Sequence, residues 1–157
     1  AFNTPREVAL SMARGVIDKM ISLLVVTHGN LGKELINSAE LIAGKQDDVV
    51  SLGLFLEDGI DNFKERVHEK IQSLNRGEGV LVFVDLYGGS PCNVTAMSMR
   101  SQKNPEQSEF KCITGVNLPM LLEAMTMRKS MSLGELKNHC IQIGCSGIKD
   151  LYQELNS

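Results

Sequence analysis

VLVFVDLYGGSP, residues 80–91, decides how this chain folds. Val80, Leu81, Val82, Phe83 and Val84 run without a polar interruption, which predicts a strand buried on both faces rather than one. Asp85 ends the run, and Gly88 and Gly89 provide a turn. Ser90 before Pro91 then predicts a helix start, with Ser90 as the cap and the proline at the first helical position. A doubly buried strand that feeds a helix is half of a β-α-β unit, and that unit builds parallel sheets.

The same rhythm recurs on either side. Ile21 to Thr27, Val49 to Leu54 and Phe110 to Thr114 are three further apolar, β-branched runs that read as strands. Leu31, Leu35, Ile36, Ala39 and Ile42 share one face of a helical repeat that stops at Gly44. Ile60, Phe63, Val67, Ile71 and Leu74 form a second such face, from a start near Asp58 to an end before Gly77. Asn117 caps a helix running to about Arg128, and Ser132 with Glu135 forms a capping box for another. The order β-α-β-α-β-α-β-α-α predicts an α/β fold: a doubly wound, mostly parallel open sheet with helices on both faces. The strand order expected is 2-1-3-4. The stretch HCIQIG, residues 139–144, reads either as a continued helix or as a short strand, and SGIKDLYQEL after it reads as helical.

Composition narrows the classes. With 157 residues the chain forms one substantial core. A net charge of -3, mixed signs along the chain, no Trp and only two Tyr speak against a nucleic-acid partner. No apolar run reaches the roughly 18–20 residues that cross a bilayer. Cys92, Cys112, Cys140 and Cys145 show no CxxC spacing, which fits a reducing compartment without disulfide staples. Residues 1–19 carry Pro5 and charges at Arg6, Glu7, Arg14, Asp18 and Lys19, with no apolar core, so they read as neither signal peptide nor anchor. They are set apart as a leader or appended extension with a partial helix over 7–14, and residues 20–157 as the domain.

Polar and glycine-rich groups collect after the strands: Thr27-His28-Gly29-Asn30, Asp85 to Pro91, and Thr114-Gly115-Val116-Asn117. In an open parallel sheet, ligands bind outside the carboxyl ends of the strands where the strand order reverses. With strands one and three adjacent, His28 and Asp85 face each other across that crevice. A carboxylate that accepts the proton of one ring nitrogen fixes the tautomer and leaves the other nitrogen free to act as a nucleophile. Backbone N–H groups of Gly88, Gly89 and Ser90 at a helix start suit an anion such as a phosphoryl group. Taken singly, a histidine after a strand is more often a cap or core residue, and GGSP more often a turn; it is their convergence that points to chemistry.

His68, off the apolar helix face, is read as a surface group, and His139, in a polar stretch, as a surface or subunit-contact group. Cys92 is read as a small apolar filler.

THG at 27–29, VDLYGGSPCN at 84–93 and TGVNLPML at 114–121, in this order and spacing, resemble the IIA component of the mannose/fructose/sorbose class of the bacterial phosphoenolpyruvate-dependent sugar phosphotransferase system. The resemblance covers about residues 20–155. It implies a cytoplasmic phosphocarrier that accepts a phosphoryl group from phospho-HPr on His28 and passes it to a IIB component, with Asp85 orienting the ring and Ser90 near the phosphoryl group. It further implies a homodimer with an exchanged antiparallel edge strand around residues 139–144, membrane IIC and IID partners reached indirectly at the inner face of the membrane, and neither metal nor cofactor. Two alternatives remain: the phosphotransfer subunit that serves dihydroxyacetone kinase, and a non-catalytic phosphate-sensing α/β module.

Overall fold

The computed structural model describes Arg6, residues 19–102 and residues 109–157. The expected helix over 7–14, and most of the stretch set apart as a leader, lie outside the described residues.

Four strands and six helices are formed among the described residues: β1 (Ser22–His28), α1 (Leu31–Ala43), β2 (Val49–Leu54), α2 (Ile60–Leu74), β3 (Val80–Val84), α3 (Ser90–Arg100), β4 (Phe110–Ile113), α4 (Leu118–Met127), α5 (Leu133–Ser146) and α6 (Leu151–Leu155). All pairings are parallel and the order is β2-β1-β3-β4, as the strand and helix rhythm required. β1 and β3 are neighbours in register, Val26 opposite Val84.

The uninterrupted apolar strands are explained by burial on both faces. Alternate residues divide between two clusters, one per face. Leu23, Val25, Leu81, Phe83 and Ile113 pack under α1, α4 and α5 through Ile36, Ala39, Leu121, Ala124 and Leu136. Leu24, Val26, Val80, Val82, Val84 and Phe110 pack under α2 and α3 through Phe63, Val67, Ile71 and Val94. Each of these large side chains contributes roughly 1.5–3 kcal/mol by leaving water. β3 is fully enclosed and β1 is enclosed up to Thr27, while β2 and β4 form the two sheet edges.

Buried Arg128 ties the opposite, amino-terminal end of the sheet. Its guanidinium donates to the carbonyls of Asp47 (2.7 Å) and Ile21 (3.3 Å) and to Oε1 of Gln46 (3.2 Å). Asp48, the one non-glycine with positive φ among the described residues, sits in this turn at φ 54°.

Several boundaries differ from expectation. Residues 139–144 are helical inside α5, so no antiparallel edge strand forms there among the described residues. The reason is packing: Leu136, Cys140 and Gly144 recur every fourth residue on the buried side of α5, and Asn117 Nδ2 donates to the Gly144 carbonyl at 3.0 Å. α2 begins two residues after Asp58 because Asp58 is spent on a turn. Its N–H donates to the Phe55 carbonyl, and its carboxylate accepts from the Phe55 N–H at 2.8 Å. His28 is the last residue of β1 rather than the first of a loop. No helix among the described residues is long and apolar enough to cross a membrane.

Candidate functional site

His28 stands at the carboxyl end of β1 and Asp85 directly after β3, on either side of the point where the strand order reverses. The topology therefore brings them together across 57 residues of sequence. Nδ1 of His28 lies 2.8 Å from Oδ2 of Asp85, and the same oxygen accepts the backbone N–H of His28 at 2.9 Å. A carboxylate only accepts, so the short ring contact places the proton on Nδ1 and leaves Nε2 bare. The His28 side chain is half exposed and that of Asp85 only 10% exposed. Oδ1 of Asp85 is buried without a partner, so the carboxylate directs its hydrogen bonding onto His28 through Oδ2 alone.

Burial pushes the Asp85 carboxyl up. The backbone N–H and then the ring of His28 outweigh it, and the carboxyl lies below its ordinary value. Asp85 is thus an anion at neutral pH.

Two close approaches seat the histidine backbone. Gly29 adopts φ 53°, a conformation that favours glycine, and its N–H donates to the Leu54 carbonyl at 2.8 Å. Its own carbonyl lies against Gly53 of β2, where a Cβ would collide with it. Thr27, fully buried, turns its Oγ1 to accept the Gly32 N–H at 2.8 Å and anchors the first turn of α1. The polar pair Thr27-His28 therefore splits into one structural and one solvent-facing group.

The third component is the turn into α3. Gly88 takes φ 81°, and its carbonyl accepts from Asn93 Nδ2 at 3.2 Å, closing the turn on itself. Gly89, rather than Ser90, is the cap residue, and Ser90 is the first helical residue. The Gly89 N–H, expected to face an anion, is already spent on the Leu86 carbonyl at 3.1 Å. The N–H groups of Gly88, Ser90 and Cys92 have no protein acceptor among the described residues. Those of Ser90 and Cys92 lie at the positive end of the α3 dipole, in the turn whose Gly89 approaches the His28 ring.

The sequence reading thus placed His28, Asp85, Gly88, Gly89 and Ser90 in one cluster, and the structure brings all five together. It missed Asn93, which holds the turn, and Gly53, which receives Gly29. Asn93 sits inside the GGSPCN motif and was visible there; Gly53 looks like an ordinary strand glycine until β1 and β2 are paired. Exposed apolar side chains follow the carboxyl ends of the strands: Leu31 opens α1, Phe55 and Leu56 follow β2, and Leu86 and Tyr87 follow β3. Among the described residues no three metal-ligating side chains gather. Of the groups set aside, His139 is half-buried, with Nε2 2.6 Å from Glu123 Oε1 between α4 and α5. Cys92 packs against the core, as a filler would.

Comparison with known proteins points in one direction. The sequence model of the family EIIA-man, described as PTS system fructose IIA component, matches residues 22–141. The fructose-specific EIIA component of Bacillus subtilis is 30% identical over 76% of this chain and 79% of its own length. The mannose-specific EIIAB component of Escherichia coli K12 is 29% identical over 83% of this chain, which spans only 39% of that protein. Among solved structures, a phosphotransferase system component EIIA from Streptococcus agalactiae superposes with a TM-score of 0.77 at 28% identity, covering 85% of this chain and 99% of that one. A mannose/sorbose-specific IIA subunit from Enterococcus faecalis gives 0.73 at 27% identity, over 84% and 95%.

Proposed function

This chain belongs to the EIIA-man family of phosphotransferase-system IIA components, and on that basis we propose that it is a histidine phosphocarrier: it accepts a phosphoryl group from phospho-HPr on Nε2 of His28 and hands it to a IIB component, which phosphorylates the incoming sugar. The observation that carries this reading is the 2.8 Å contact between Nδ1 and Asp85, with the Gly89 turn into α3 against the same ring.

Each step uses a group already in place. Nε2 attacks phosphorus in line as the bond to the donor breaks, so the donor leaves with its electron pair and His28 gains the phosphoryl group. The proton stays on Nδ1, where Asp85 stabilises the positive charge that develops on the ring. Phosphoryl transfer asks chiefly for alignment and charge stabilisation, which the N–H groups of Ser90 and Cys92 and the Ser90 hydroxyl supply. Transfer to the IIB component reverses the sequence.

The exposed apolar side chains of Leu31, Phe55, Leu56, Leu86 and Tyr87, all just past strand ends, support docking of protein rather than small-molecule partners. A second apolar patch, Ile141, Ile148, Leu151, Tyr152 and Leu155, supports a homodimer through the carboxyl-terminal helices. The names of the relatives, fructose-, mannose- and sorbose-specific components, support a sugar of that kind; a cytoplasmic site of action at the inner face of a transporter belongs to the phosphocarrier reading itself.

The test is incubation with phosphoenolpyruvate, enzyme I and HPr. Uptake of acid-labile, base-stable phosphate that disappears in His28→Ala is expected. Undiminished uptake by that variant removes the site, and absence of any uptake favours a phosphate-sensing module.

A further inference from the structure

We propose that Gly89 is a positioning residue for the phosphoacceptor: the absence of a side chain at position 89 leaves the space in which the His28 ring lies, and so sets where Nε2 points.

The backbone gives no reason for glycine here. Gly89 has φ -72° and ψ 167°, an extended conformation open to any residue. Its N–H and carbonyl bond to Leu86 and Asn93 and would do so with any side chain attached. Capping does not demand it either, since Ser, Asn and Asp are at least as good at a helix start. What a side chain would meet is the imidazole. A Cβ at 89 would stand 3.0 Å from Cε1 and 3.6 Å from Nε2 of His28, and 3.3 Å from the Leu86 carbonyl.

The ring is therefore fixed from two sides. Asp85 holds Nδ1 at 2.8 Å, and Gly89, bare of a side chain, leaves room beside Cε1, the carbon between the two ring nitrogens. Asp85 fixes which nitrogen is free, and Gly89 sets where that nitrogen stands at the turn into α3. A Cβ at 89 would require the ring to give by a few tenths of an ångström while Asp85 holds its Nδ1.

Gly59 supplies an internal control. It caps α2 with φ -73° and ψ 136°, and a Cβ there would meet nothing within 4 Å. Gly59→Ala therefore reproduces the loss of a glycine cap without touching the site.

The inference rests on the phosphocarrier reading, and the experiment separates the two. Single-turnover phosphorylation by phospho-HPr is measured for the full chain and for Gly59→Ala, Gly89→Ala, Gly89→Val and His28→Ala, together with the ring resonances of His28 by NMR and thermal melting. Misplacement of a reacting atom by 1 Å costs on the order of a hundredfold, so we expect about a three- to tenfold loss for Gly89→Ala and about a hundredfold for Gly89→Val. Shifted His28 ring signals should accompany both, with Gly59→Ala matching the unmodified protein in rate and ring signals. Wild-type rates and unshifted ring signals in both Gly89 variants, with His28→Ala unlabelled, would overturn the role of Gly89 and leave the phosphocarrier reading standing. Labelling of His28→Ala would overturn both.

Discussion

Nδ1 of His28 and Oδ2 of Asp85 lie 2.8 Å apart although 57 residues separate them in the chain. The parallel pairing of β1 with β3 creates this contact, because it places the last residue of one strand beside the first residue after the other. The bond commits the ring to one tautomer and leaves Nε2 bare, the nitrogen we propose as the nucleophile.

Asp85→Asn tests that commitment. The amide can present its N–H₂ to the ring and favour the wrong tautomer, so phosphoryl uptake should fall about ten- to hundredfold, the usual cost of losing a carboxylate that orients a histidine. Melting at neutral pH should fall modestly, by the stabilisation that the lowered carboxyl contributes, while the fold stays intact. An unchanged rate removes Asp85 from the mechanism.

The pH dependence follows in sign from the same pair. Burial raises the Asp85 carboxyl, the His28 N–H and ring more than offset it, and the folded value lies below the ordinary one. A lowered folded value stabilises the native state fully above the unfolded carboxylate value of about 3.9 and loses that effect as pH falls through the folded value. The stability margin of the wild type over Asp85→Asn should therefore persist down to about pH 5 and close only below about pH 4. Chemical denaturation of both proteins across this range reads it directly. A margin that vanished between neutrality and pH 5 would mean that the carboxyl titrates above, not below, its usual value.

Gly53→Ala should damage the site from a distance. Its Cβ would collide with the carbonyl of Gly29, the residue after His28, and the backbone of one strand end must move. Overpacking of this kind costs typically 1–3 kcal/mol, about the loss expected here, with a slower phosphoryl uptake beyond what the stability change explains. Gly134→Ala, where a Cβ meets nothing within 4 Å, is the matched control.

Arg128→Met should weaken the fold without touching transfer in the molecules that remain folded. It strips donors from the carbonyls of Ile21 and Asp47 at the buried end of the sheet, at a cost of about 2–3 kcal/mol for the acceptors left unmatched. Equilibrium denaturation measures the loss; a wild-type midpoint would show that water replaces the guanidinium at no cost.

The sheet was legible because four apolar runs, each followed by a helical face, admit few arrangements other than a parallel sheet covered on both sides. His28 and Asp85 became readable as a pair only through the strand order, since nothing in either local sequence names the other. Where the reading slipped, one residue type served two roles. Asp58 looks like a helix cap and is a turn acceptor, and Ser90 looks like the cap although Gly89 takes that place. HCIQIG stayed ambiguous because a short run with Ile141 and Ile143 satisfies both periods; the contact of Asn117 with Gly144 resolves it, and that contact is tertiary. Arg128 was read as the end of a helix, because buried arginines are rare and no neighbouring residue announces one. The space at Gly89 is likewise a property of two loops meeting, invisible in either alone.

The most direct measurement is heteronuclear NMR of the chain labelled with nitrogen-15 at histidine and phosphorylated by phospho-HPr. A phosphorus–nitrogen coupling on Nε2 of His28, with Nδ1 still protonated and shifted by its bond to Asp85, is the expected spectrum. A coupling on Nδ1, or on His68 or His139 instead, would contradict the assignment of His28 Nε2 as the acceptor.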